Sequence, residues 1–147
     1  MKVLITGLFL SIAVSGSLFA HAGKETFVLE EVARIHTELF EGKTGTIDTK
    51  KLVGLLKEEA DRKKDTSAFK QALPFAEKLG KVTDEEQKRE LFYRLSSELE
   101  PIVGHHDQSG VSIFYCPMVK KKWIAKGKEI HNPYLSNMKN CGQILHD

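Results

Sequence analysis

Four apolar stripes at helical spacing, set end to end between residues 25 and 103, constrain this chain more than any other feature. Leu29, Val32, Ile35 or His36, and Leu39 recur every three or four positions, the pattern of a helix with one buried face. Gly42 and Gly45 close that helix. A second stripe over about 48–63 turns Leu52, Val53, Leu55, Leu56 and Ala60 inward. Gly54 weakens it by about 1 kcal/mol relative to Ala. The third begins at Asp65 or Thr66 and carries Phe69, Ala72, Leu73, Ala76 and Leu79 to Gly80. Pro74 lies inside it and has no N–H to donate, which predicts a kink or a restarted helix. The fourth opens on a capping box, Thr83-Asp84-Glu85-Glu86, continues through Leu91, Phe92, Leu95, Leu99 and Ile102, and ends at Pro101 and Gly104. Short loops between amphipathic helices predict an all-α fold: an up-and-down four-helix bundle over about 25–104, with an irregular Cys/Met-containing tail over about 105–147. The two parts read as a single helical domain, 23–147, in which the bundle buries its own stripes and keeps its helices without the tail. His36, at a stripe edge, reads as a packed histidine.

Ahead of the bundle, Met1-Lys2 is followed by an uncharged apolar or small stretch from Val3 to Ala20, then by Ala20-His21-Ala22 and the charges of Lys24 and Glu25. That order is a secretory signal peptide, removed after Ala22. The serines and glycines within it make a poor membrane-spanning helix, and no second apolar run is long enough to span. No cysteine flanks the cleavage site, which argues against a lipid anchor. The mature protein is therefore expected to be periplasmic or secreted, without stable membrane insertion. Its formal charge, +2 for the whole chain and lower once Lys2 is removed, leaves little attraction for nucleic acid.

Chemistry concentrates in the tail. It holds the only tryptophan, both cysteines and both methionines other than Met1. Cys116-Pro117-Met118 and Met138-Lys139-Asn140-Cys141-Gly142 each pair a thiol with a thioether two or three positions away. Such a donor set suits Cu(I) or Ag(I), whereas zinc gains little from a thioether. The same two cysteines, in an oxidising compartment, can instead close a disulfide. Neither CxxC nor CxxCH occurs, which disfavours a thioredoxin-like centre and excludes covalent haem. His105, His106 and His131 are further candidate ligands, with His105 and His106 equally suited to the C-terminal end of the fourth helix. Lys120-Lys121-Lys122 beside Trp123 reads as a solvated charge run or a patch for an anionic surface. Val111-Ser112-Ile113-Phe114-Tyr115 is suited to a short extended run. No nucleophile–base order, phosphate loop or paired carboxylates stand out, so nothing points to an enzyme.

The order Tyr115-Cys116-Pro117-Met118, Trp123, Glu129-Ile130-His131-Asn132-Pro133-Tyr134, Met138 and Cys141-Gly142 resembles the signature of an exported family, the domain of unknown function 3347. Glu86-Gln87-Lys88-Arg89-Glu90 and Leu95-Ser96 are similar to the helix before that motif, and the likeness runs over about 29–144. Proteins of that family occur alone in the periplasm or fused to the C-terminus of periplasmic adaptors of copper/silver-type efflux pumps. The resemblance implies a helical bundle with a metal-responsive tail, with Cys116, Met118, Met138 and Cys141 at the matching positions and an efflux adaptor as a candidate partner. The sequence departs from the pattern in its short lysine-rich stretch between Met118 and Trp123, and in Leu135-Ser136 where a glycine is expected. The expectation is an exported Cu(I)- or Ag(I)-binding protein, chaperone-like or buffering. Its alternative is a disulfide-stapled structural or interaction domain.

Overall fold

The computed structural model describes residues 22–104 and 107–146. His105, His106 and all but the last residue of the leader read over 1–22 therefore lie outside the described residues. The elements run α1 (Lys24–Phe40), α2 (Lys50–Lys57), α3 (Thr66–Leu79), α4 (Glu85–Leu99), β1 (Val111–Cys116), β2 (Lys121–Lys126) and β3 (Gln143–His146). The all-α expectation is overturned: the fold is α+β, four helices packed with a three-stranded antiparallel sheet of order β2-β1-β3.

The helices follow their stripes closely, with two instructive differences. α2 stops at Lys57 instead of continuing to about residue 63, because Glu58 turns extended. The segment it releases caps α1. Gly23 has no side chain to offer the first amides of α1, and the Asp61 carboxylate accepts from Lys24 N–H at 2.8 Å in its place. Glu25 completes the junction by accepting from the Arg62 amide at 2.9 Å. One orphan donor of the helix N-terminus is thus satisfied from a distant part of the sequence. In α4 the cap is Asp84, whose carboxylate accepts from Gln87 N–H at 2.9 Å. α3 runs unbroken through Pro74.

β1 was the expected extended run; β2 lies where the lysine run suggested solvated surface. Its lysines are paired instead. Lys121 Nζ is 3.1 Å from Glu90 of α4, and Lys122 Nζ 2.9 Å from Glu100. With those heads held at the edge, Trp123, Ile124 and Ala125 turn into the protein and are buried. β2 packs against both α1 and α4, so Trp123, Phe114 and Ile124 belong to one continuous core with Leu29, Phe69, Phe92 and Leu95. Among the described residues no helix is long and apolar enough to cross a membrane.

This shared core removes the expected independence of the bundle. A chain ending near Gly104 exposes the faces of α1 and α4 that β2 covers, and is expected to lose its cooperative thermal transition. A truncated protein that melts as sharply as the full chain would restore the two-part reading.

His36 joins the same two regions. It is 3 % exposed, and its Nε2 lies 2.6 Å from the backbone carbonyl of His131, which fixes the Nε2–H tautomer as donor. Burial dominates in lowering its pKa to about 4. The unfolded chain takes up this proton near pH 6.5, so stability falls as pH drops from about 6.5 to 4, by about 3 kcal/mol in all. Denaturant melts across that window should show the slope in the wild type and a flatter one in His36→Gln.

Candidate functional site

The register of the sheet brings the two cysteines together. Cys116 ends β1, and the β1–β3 pairing sets Tyr115 opposite Gln143. Continuing that antiparallel register carries the residues just before Gln143 past the end of β1. Cys141 Sγ consequently lies 2.8 Å from Cys116 Sγ, with both thiols free. Cys116 is wholly buried, while Cys141 is part-exposed.

The environment treats the two sulfurs differently. Burial raises the Cys116 pKa, but it is outweighed by hydrogen bonds from the Cys141 thiol, the Val119 and Met118 amides and the Asn132 side chain, so Cys116 falls below the usual cysteine value. Cys141, which donates to Cys116, is raised, chiefly by that hydrogen bond and then by desolvation and the charge on Cys116, with the Met118 amide opposing. The surroundings therefore favour negative charge more at Cys116 than at Cys141, and the two sulfurs titrate as a pair. Pro117 starts the four-residue turn between β1 and β2, and Lys120 closes it with φ 54°. That turn is what aims the Met118 and Val119 amides back at the sulfur.

Both thioether side chains are exposed. Met118 is 68 % exposed, and its amide serves both cysteines. Met138 is 37 % exposed, and its carbonyl accepts from the Cys141 amide at 3.0 Å. His131 is engaged elsewhere: its ring stacks on Phe40 at 4.7 Å and lies 3.6 Å from Glu129. Among the described residues no three His, Cys, Asp or Glu side chains are gathered to hold a metal.

Asn132, named in the sequence only as part of the motif and given no role there, organises the loop leading to Cys141. Its amide N–H donates to Lys139 O at 2.7 Å, its side-chain nitrogen to Cys141 O at 2.8 Å, and its side-chain oxygen accepts from Tyr134 N–H at 2.8 Å. The last of these is an Asx turn, and Asn-Pro-Tyr is a signal for one. Tyr134 then reaches across to Lys122 O at 2.6 Å and sets its ring edge-on to Trp123 at 5.9 Å. Trp123 stacks on Phe114 at 5.4 Å. Loop and sheet are thereby locked around one indole.

No protein-family model matches the chain, and neither does any curated protein or solved structure.

Gly142 carries the tightest packing at the site. A Cβ there would stand 2.7 Å from Trp123 Cη2 and 3.2 Å from Ile130 Cγ2. The indole is fully buried and has no room to retreat. Gly142→Ala is expected to cost about 1–3 kcal/mol as an overpacked core contact. Thermal melts read this as a lowered Tm, accompanied by a shifted tryptophan emission. An unchanged Tm would show that the loop is free to slide away from the indole.

Proposed function

We propose that the reduced Cys116–Cys141 pair binds a single soft monovalent ion, Cu(I) or Ag(I), as cargo, with Met118 and Met138 completing the coordination. The observation that carries the reading is the convergence of two sulfurs 25 residues apart at a point where backbone amides favour a thiolate. A thiolate is the form that ligates, and the flanking thioethers select a soft ion over zinc. Both methionines are exposed, so either can meet an ion arriving from solvent. The fit demands one movement. Metal–thiolate bonds of about 2.3 Å hold two sulfurs roughly 3.8 Å apart at tetrahedral angles, wider than the contact seen here. Cys141, the more exposed partner, is the one free to swing. Delivery or buffering of copper in the periplasm, beside an efflux adaptor, is the setting this reading fits; the signal-like leader and the resemblance of the tail support it. The chain has no assigned catalytic role in this reading.

The close sulfur contact also favours a second reading, in which the pair is oxidised and staples β1 to the loop before β3. In that case the protein is a structural or interaction domain. The two readings share both sulfurs and exclude one another at any moment.

A competition titration of reduced protein against a Cu(I) chelator is expected to give one ion per chain and a clear preference over Zn(II). Cys116→Ser or Cys141→Ser should nearly abolish binding, and Met118→Leu or Met138→Leu should weaken it while circular dichroism is unchanged. Affinity should fall with acidification, because the ion displaces the thiol protons. Variants that compete as well as the wild type would leave the staple as the function of the pair.

A further inference from the structure

A separate cleft opens between α4, the C-terminal end of α1 and the loop over 132–139. Its volume is about 110 Å³, and its lining includes Phe40, Glu41, Arg89, Asn132, Ser136 and Lys139. Arg89 is the anomaly. Arg34 pairs with Glu31 and Glu38, Arg62 with Asp65, and Arg94 with Glu90. Among the described residues Arg89 has no carboxylate partner, and its Nε is buried without an acceptor. A buried N–H of a charged group left unsatisfied is costly, and the cost is relieved by an oxygen acceptor. Across the cleft, Lys139 holds its ammonium 4.8 Å over the Phe40 ring, an arrangement that fixes the charge without neutralising it.

We propose that this cleft binds a small oxyanion through Arg89 and Lys139. The guanidinium offers a planar fork suited to carboxylate or phosphate oxygens, and the lysine a point charge. The volume admits phosphate, sulfate or a carboxylate group and falls short of the roughly 300–1,000 Å³ that larger ligands occupy. Glu41, exposed on the rim, opposes the anion through solvent. Its presence sets the affinity low and gives the inference a distinctive sign: removing that carboxylate strengthens binding. An occupied cleft ties α4 to the loop that carries Met138 and Cys141, since Lys139 lies between them in sequence. The inference stands on Arg89 and the cleft, independently of any metal.

The test uses the full mature chain, reduced and metal-free. Inorganic phosphate and acetate are titrated separately, with chloride holding ionic strength constant so that general screening cancels. Amide chemical shifts of Ser136 and Lys139 follow the binding. Saturable shifts are expected, with phosphate alone binding if the ligand is a tetrahedral anion, and acetate as well if it is a carboxylate. Arg89→Gln should weaken the affinity about ten-fold and Lys139→Gln about three-fold, while Glu41→Gln tightens it by a similar three-fold, a span of under two decades typical of single charge contacts. Lys139 and Glu41 are at the surface, so their variants keep the test sound if Arg89→Gln perturbs the helix. Absence of saturable shifts with both anions overturns the proposal. So does binding that is unchanged in Arg89→Gln and Lys139→Gln.

Discussion

Everything at the C-terminal end of this protein hangs on β1 being the central strand. It is hydrogen-bonded on one side to β2 and on the other to β3. Through β2 it fixes Trp123 beside Phe114 and joins the sheet to α1 and α4. Through β3 it fixes how far the last loop travels before returning, and so where Cys141 arrives. A side-chain period of two makes such pairing unforgiving: a slip of one residue turns the indole outward and parts the sulfurs.

The loop between β2 and β3 is held by polar contacts where the sheet is held by ladders. Asn132 is 1 % exposed and uses its backbone amide and both ends of its side chain. Gly142 lets the chain pass against the indole where any side chain would collide. These two residues let an irregular segment be as well determined as a strand. They also explain the asymmetry of the cysteines. Cys116 is set in the sheet and ringed by donors, whereas Cys141 rides on the loop and keeps more exposure. An ion or an oxidant meets one sulfur fixed in the sheet and one carried on the loop.

Charge placement follows a similar logic. Lys121 and Lys122 of β2 meet carboxylates of α4 and of the turn after it, and that pairing helps a strand bearing three lysines lie against a helix. Exposed pairs of this kind contribute little stability each; their effect is on orientation, holding the hydrophobic half of β2 against the helices. Arg89 stands outside the pattern, and the cleft beside it is the one place where α4 presents a cation with no protein acceptor among the described residues.

The sequence by itself determined the helices. Their stripes repeat at helical spacing, and the capping box over 83–86 announces the start of α4, with the cap itself one residue later, at Asp84. It also singled out the sulfur-bearing segments, since two thiol–thioether clusters in one tail are visible without coordinates. It did not show the sheet. β1 was legible as an extended run, but β2 is six residues, three of them lysine, and β3 is four; neither carries a clean alternation. Their strand character comes from partners supplied by distant segments: Glu90 and Glu100 for the lysines, β1 for the backbone of both. For the same reason the N-terminal cap of α1 was invisible, because Asp61 is 37 residues away. Tertiary structure alone decided that the cysteines touch, that His36 is buried against the carbonyl of His131, and that Arg89 has no carboxylate partner among the described residues. Each depends on where the chain returns in space, and local periodicity carries no information about that.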